Sequence, residues 1–333
     1  MRRLTGDLPP AAGTVKACPE DFEVEEVLLH PPEGEGEHLY LRVEKRGRNT
    51  REVVRALAAA LGLRPAEVGV AGQKDRQAVT RQWLSVPRRA AAGKQLEGSG
   101  WRVLEAVPGR RKLRTGRIAR NRFRIRVRGA GAHEAAVRSR LRRLVEQGVP
   151  NYFGPQRFGH EGQNPARGRA LLAGTRRAPD RFTRRLWVSA LQAELFNAWL
   201  DARIDDGLFL RCLPGDVLTP HLSRKSFLCG APEEDTRRLR RFDVDLTGPI
   251  YGHAMRPAEG EAGRREAALL QASGLSLEAF RAAGRDGAGT RRPARIPLWD
   301  PAVVREGEDL CLSFALRSGG YATVVLAQLF EED

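Results

Sequence analysis

Residues 68–86 read Val-Gly-Val-Ala-Gly-Gln-Lys-Asp-Arg-Gln-Ala-Val-Thr-Arg-Gln-Trp-Leu-Ser-Val, a stretch that sets one carboxylate, Asp75, on a tight turn between two apolar segments. The run 68–71 reads as a strand end, Gly72 permits the turn, and 78–86 resumes a β-branched and aromatic strand pattern. Reactive groups are often held on loops between rigid elements. Lys74 and Arg76 flank Asp75, and nearby cations favour the ionised carboxylate, the form able to act as nucleophile or base. The local pattern alone describes a solvated polar turn just as well.

Working outward, 333 residues exceed one average domain and can bury a substantial core. Lys and Arg number 57 against 41 acids, a formal charge of +16 that favours a polyanionic partner, nucleic acid above all. Only six of these cations are lysines; coding bias explains arginine over lysine but not the basic excess. Cys18, Cys212, Cys229 and Cys311 form no Cys-x-x-Cys pair, so zinc-site spacing is absent and no metal is expected. With no apolar run of spanning or signal-peptide length, a reduced, cytoplasmic protein with no membrane partner is expected. No phosphate-binding glycine loop occurs, and 129–133 lacks the third glycine of a dinucleotide fingerprint, so no cofactor is expected.

Residues 22–27 and 38–45 alternate as strands. Thr50 is a plausible N-cap for a helix through Val53, Val54, Leu57 and Leu61 that stops at Gly62. Residues 122–128, Arg-Phe-Arg-Ile-Arg-Val-Arg, predict a strand with Phe123, Ile125 and Val127 facing a core and Arg122, Arg124, Arg126 and Arg128 facing out. Four unpaired cations on one face repel unless a polyanion meets them, so these arginines, with Arg110, Arg111 and Lys112 upstream, are expected to contact phosphates. Charged residues on an exposed strand face are the plainer alternative. The loop 148–159 mixes Gly, Pro, aromatics and amides without a helical or strand period, a chemistry suited to an extruded base but equally to packing under a loop. Leu191, Leu195, Phe196 and Trp199 fall on one helical face. Residues 309–316 alternate as a last strand, followed by a turn and a helix near Tyr321.

Several of these strings carry a resemblance. Gly-Gln-Lys-Asp-Arg-Gln-Ala-Val-Thr-Arg-Gln-Trp at 72–83 closely resembles the signature of the TruD family of tRNA pseudouridine synthases, and Asn-Tyr-Phe-Gly-Pro-Gln-Arg-Phe-Gly at 151–159 resembles its active-site loop. Further motifs follow in family order at 16–27, 35–50, 110–128, 189–200 and 309–326. The resemblance implies an α+β fold: a mixed, largely antiparallel sheet flanked by helices forms the pseudouridine synthase catalytic domain over 1–174 and 297–333. An α+β TRUD domain is inserted at 175–296. It implies conversion of uridine to pseudouridine in tRNA, at position 13 of the D-arm, without cofactor or protein partner. Asp75 takes the catalytic position, attacking ribose C1′ or base C6. Phe22, Asn151 and Tyr321 match positions that contact substrate, Lys16 a lysine near the active site, and Phe153 is a candidate for stacking. Gly320 and Gln328 depart from the family pattern, where serine and glutamate are common.

A non-catalytic tRNA-binding or RNA-chaperone protein would share the charge and the aromatic loop, and Asp75 discriminates against it. An RNA methyltransferase would need a nucleotide-binding glycine loop, and none is convincing.

Overall fold

Alternation in the arginine-rich segment becomes one long strand at the centre of a sheet. In the computed structural model, which describes residues 1–74, 76–94, 96–223 and 225–331 (His160 by its backbone only), the chain opens with strands β1 (Thr14–Val15), β2 (Phe22–Leu28) and β3 (His38–Lys45), then helix α1 (Thr50–Leu61). Strands β4 (Gly69–Val70) and β5 (Val79–Pro87), helix α2 (Arg88–Ala91), and strands β6 (Glu97–Gly98), β7 (Trp101–Gly109) and β8 (Ile118–Arg128) follow. Helix α3 (Glu134–Gln147), strand β9 (Val149–Pro150), helices α4 (Asn164–Leu172) and α5 (Arg181–Asp205), and strands β10 (Val217–Pro220) and β11 (Phe227–Leu228) come next. Helix α6 (Pro232–Arg240), strand β12 (Val244–Ile250), helix α7 (Gly260–Ala272), and strands β13 (Thr290–Pro293) and β14 (Arg295–Ile296) lead to β15 (Trp299–Glu306), β16 (Asp309–Arg317) and helix α8 (Ala322–Leu329).

The first compact unit comprises Leu8–Val145, Pro297–Ala322 and the residues from Leu329. Its ten described strands run in the order β15-β16-β8-β2-β5-β3-β7-β6, with β1 added on β8 and β4 on β5. Every pairing is antiparallel except β2 with β5. The expected period holds on β8: Phe123, Ile125 and Val127 are buried while the four arginines between and beyond them are exposed. Helix α1 packs Val53, Leu57 and Leu61 against Leu41, Val43, Leu84 and Val86 of β3 and β5. Leu57 is fully buried, and truncating it to alanine should cost about 2–5 kcal/mol. The cap of α1 is Asn49, not Thr50: its side chain accepts from the Glu52 amide and Glu52 reaches back to the Asn49 amide. Gly62 ends the helix at φ 69°, a left-handed conformation that favours glycine.

The second unit holds Met1–Asp7, Glu146–Ile296 and Thr323–Gln328. It begins well upstream of residue 175, because β9 pairs with β14 and α4 packs on α5, with Leu172 buried among Val188, Leu191, Leu195 and Phe280. Its main sheet runs β11-β10-β12-β13. The segment Glu278–Gly287 is a kinked 3-10 stretch, broken at Gly284 with φ 56°.

Candidate active site

Asp75 lies outside the described residues; its chain neighbours Lys74 and Arg76 are both anchored. The Lys74 amide donates to Thr50 Oγ1 at 2.9 Å, and that hydroxyl donates in turn to Gln82 Oε1 of β5 at 2.9 Å. Lys74 Nζ donates to Asn121 Oδ1 of β8 at 2.9 Å and lies 2.8 Å from Glu26 Oε1 of β2, a close charge contact rather than a straight hydrogen bond. Glu26 Oε2 accepts the Trp83 amide at 3.0 Å. The Lys74 and Glu26 side chains are 10% and 0% exposed, so removing either partner strands the other in a dry site. Gly72 permits this approach: a Cβ there would stand 2.6 Å from Ile118 Cδ1 and 3.3 Å from Glu26 Oε1.

The two cations that flank Asp75 in sequence have partners of their own. The Lys74 ammonium is answered by Glu26, and Arg76 Nε donates to the Gly47 carbonyl at 2.8 Å. Both residues fix the loop; Lys74 contributes position more than uncompensated charge. Gln82, Glu26 and Asn121 went unnoticed in the sequence and Thr50 was read only as a cap, yet for Glu26 and Asn121 a signal was there. Glu26 is in phase with the core-facing Phe22 and Val24, and Asn121 with Phe123. A polar residue on a strand's apolar face needs a partner, and here the partner is the loop.

Lys16 and Phe22 meet in the same unit, the ammonium lying 4.4 Å from the ring centroid. Phe22 is buried and edge-on to Phe123, with centroids 6.1 Å apart. Lys16 has φ 60°, a strained backbone for a residue with a side chain, and such outliers gather at functional sites. The turn before Phe22 is pinned by Asp21, which accepts from the Cys18 amide at 3.2 Å and from Arg128 Nε at 2.8 Å. Burial pushes the Asp21 carboxyl up, but Arg128 and the Cys18 amide outweigh it and leave the carboxyl below its ordinary range. Tyr321, half-buried, directly precedes α8 after the Ser318-Gly-Gly320 turn.

Asn151 and Phe153 belong to the second unit. The Asn151 side chain is already engaged there: Nδ2 donates to the Pro293 carbonyl at 2.9 Å, while Oδ1 accepts from Arg292 Nη2 at 2.5 Å. Arg292 Nε donates to the Asn151 carbonyl at 3.1 Å, so one residue grips the guanidinium twice. That guanidinium lies 4.0 Å from the Phe153 centroid, and the opposite constraint comes from Asn197, which accepts the Phe153 amide at 2.9 Å and donates to its carbonyl at 3.0 Å. Phe153 is buried, edge-on to Phe196. Asn197, to which the sequence assigned no chemistry, is thus the backbone clamp of this loop, and Arg292 is a cation the sequence reading missed. Partners more than 100 residues apart leave no local signal.

A family model described as tRNA pseudouridine synthase D (TruD) matches residues 1–178 and 174–329. The chain belongs to the TruD family. It is 46% identical over 337 residues to tRNA pseudouridine synthase D of Anaeromyxobacter dehalogenans strain 2CP-C, covering 99% of this chain and 96% of that one. It is 43% identical over 330 residues to a protein of the same name from Thermus thermophilus, covering 98% and 91%. A crystal structure from Methanosarcina mazei, assigned provisionally as TruD, superposes with a TM-score of 0.82 at 23% identity, covering all of this chain and 97% of that one; it is similar in fold. The expected α+β fold with a largely antiparallel, helix-flanked sheet is therefore the TruD fold.

Within that fold three of the four β8 arginines expected to stand unpaired have acid partners, while Arg122 is exposed and forms no ion pair among the described residues. Arg124 lies 3.3 Å from Glu306 and 3.7 Å from Glu23, Arg126 lies 2.7 Å from Glu306 and 3.7 Å from Asp309, and Arg128 is held by Asp21. Acids on β2, β15 and β16 answer the stripe across the ladder. Arg110 pairs with Glu35, Lys112 donates to the Ala66 carbonyl, and Arg111 is exposed. The departure at Gln328 also has a structural reason. Its Oε1 accepts the Leu4 amide at 2.8 Å and its Nε2 donates to the Arg2 carbonyl at 2.9 Å, and a carboxylate could make only the first bond.

Proposed function

We propose that this protein isomerises uridine to pseudouridine in tRNA, at position 13 of the D-arm, with Asp75 as the nucleophile and no cofactor. The observation that carries the proposal is the anchored loop. A family signature whose only acid is Asp75 is tied at the preceding residue to α1, β2 and β8, with Thr50 linking it on to β5. Such pre-organisation is what a nucleophile on a loop requires.

In the reaction the bond from N1 to C1′ breaks, the base turns over, and C5 bonds to C1′. The C5 proton leaves and N1 gains one, so the change is an isomerisation. Attack of the Asp75 carboxylate at C1′ or at C6 would each hold the base during detachment. Phe22 and Tyr321 are assigned to the uridine, with Lys16 leaving the Phe22 ring as a base approaches. Asn151 is assigned a positioning role: its amide holds Arg292, and Arg292 on Phe153 meets the RNA. Arg122, Arg124, Arg126 and Arg128, with Arg110, Arg111 and Lys112, are assigned to phosphates; at Arg110, Arg124, Arg126 and Arg128 the phosphate must displace a carboxylate, which makes those contacts weaker than an unpaired arginine would give. Among the described residues no helix is long and apolar enough to cross a membrane. The four cysteines are free thiols, which fits a cytoplasmic site of action.

The test is to map pseudouridine in total RNA from cells with and without the gene, and on tRNA transcripts treated with purified protein. Loss and gain confined to uridine 13 is the expected result; an unchanged map and an unmodified transcript would refute the proposal.

A further inference from the structure

The second unit carries a cavity of about 600 Å³ that the residues above do not account for. Its walls are the start of α5, the 3-10 segment near Arg285 and the first residue of β13. Three arginines line it, Arg157, Arg185 and Arg285, with Ser189 and Thr290 as small polar groups and Phe182 at its edge. The acid among its lining residues, Asp286, lies 3.0 Å from Arg184, so that negative charge is already answered. Among the described residues Arg157, Arg185 and Arg285 form no ion pair, unlike Arg124, Arg126 and Arg128 of β8.

Two further observations point to a ligand. Among the described residues Arg157 Nε is buried without a hydrogen-bond acceptor, an unfavourable state that an arriving acceptor would relieve. Phe182, 64% exposed, lines the same cavity as the three cations. An aromatic face next to unpaired guanidinium groups is the combination that binds a single-stranded nucleotide, with base on ring and phosphate on arginine. The volume suits one nucleotide. Arg157 also lies 5.4 Å from the Phe153 centroid, and Thr290 is two residues before Arg292 on β13. The cavity therefore continues the surface that Asn151 organises.

We infer that this cavity is a second RNA subsite, seating a nucleotide of the tRNA strand other than the target, with its phosphate against Arg157, Arg185 and Arg285 and its base against Phe182. The inference rests on tRNA being the substrate.

The test compares full-length tRNA binding by wild type, Arg185→Ala/Arg285→Ala, Phe182→Leu and Phe182→Trp across a salt series. A charge-matched control, Arg241→Ala/Arg264→Ala, removes two exposed arginines elsewhere in the unit. The cavity pair should flatten the log-log salt slope by roughly 1.4–1.8 and raise KM, with kcat at saturation within about twofold. Phe182→Leu should weaken binding roughly 5- to 150-fold and Phe182→Trp restore it. A cavity pair with the control's slope, or a leucine variant that binds like wild type, overturns the subsite. If inorganic phosphate protects the arginines from modification but tRNA does not, the cavity holds a free anion and the inference also fails. Binding is read directly, so a wild type that binds tRNA in this way yet forms no pseudouridine would refute the proposed function and leave the subsite standing.

Discussion

The sheet unit and the second unit both display arginine clusters, and they treat the charge in opposite ways. On β8 the guanidinium groups alternate with core residues, and Arg124, Arg126 and Arg128 are met by Glu23 on β2, Asp309 on β16, Glu306 on β15 beyond it, and Asp21 in the turn before β2. Around the second unit's cavity three arginines share the wall with an acid already bound to Arg184. A count of basic residues sees no difference. What separates them is register: strand pairing brings acids into line with β8, whereas helix α5 and a kinked segment meet at the cavity without such a ladder.

If both clusters serve only to bind, chemistry resides elsewhere, and the largest effect should come from Asp75→Asn. Turnover should fall by a factor on the order of 10⁴ or more, while tRNA affinity and salt slope stay at wild-type values. Residual turnover near wild type, in a pseudouridine release assay, would overturn the role of Asp75. The anchor comes next. Lys74→Met and Glu26→Gln should each reduce kcat about 100-fold by letting the loop shift, and the double variant should be no worse than either alone. Additive losses would mean that Lys74 acts on the reaction separately from Glu26.

Smaller effects are expected at the positioning amide. Asn151→Ala and Arg292→Ala should each cost about tenfold in kcat/KM, non-additively, and added guanidinium ion should partly restore the arginine variant. Full additivity would give Asn151 its own contact with substrate. The stripe itself should respond weakly: Arg124→Ala/Arg126→Ala should change the salt slope by less than about half of the 1.4–1.8 expected for two phosphate contacts. The full change would mean that the carboxylates do not weaken the phosphate contacts and that the two clusters are equivalent.

The smallest effect concerns stability. Asp21 has its carboxyl pKa lowered in the fold, so its contribution is present above the unfolded value near 3.9 and lost as pH falls through the folded value. Asp21→Asn should lower stability by about 1–2 kcal/mol at pH 7, with the gap to wild type closing below about pH 4 in urea titrations. A gap independent of pH would show that Arg128 is not the partner that matters.

Much of the sheet unit was legible because its signals are local. Alternation marked β2, β3, β5, β8 and β16, and an asparagine cap and a left-handed glycine bounded α1. The cap was misplaced by one residue because Thr50 and Asn49 look alike as caps; only the long-range bond to Lys74 gives Thr50 another task. The candidate site was legible as strings and not as contacts. Asn151 matched a substrate-contacting position in its string, but nothing local revealed that it holds Arg292, far along the chain. The stripe looked unpaired because its acids lie on β2, β15 and β16, whose register with β8 no periodicity reveals.

The position of β16 has a consequence for the protein's birth on the ribosome. β8 is complete at Arg128, but its neighbour on one side begins only at Asp309. At about 5–20 residues per second, the intervening synthesis takes roughly ten to forty seconds. For that time β8 is an open edge with a row of unpaired amides and carbonyls, the kind of template on which nascent chains aggregate. Four arginines projecting from one side of it are the charges that discourage such pairing. The stripe thus guards the unfinished sheet against other chains before Glu306 and Asp309 arrive to neutralise it.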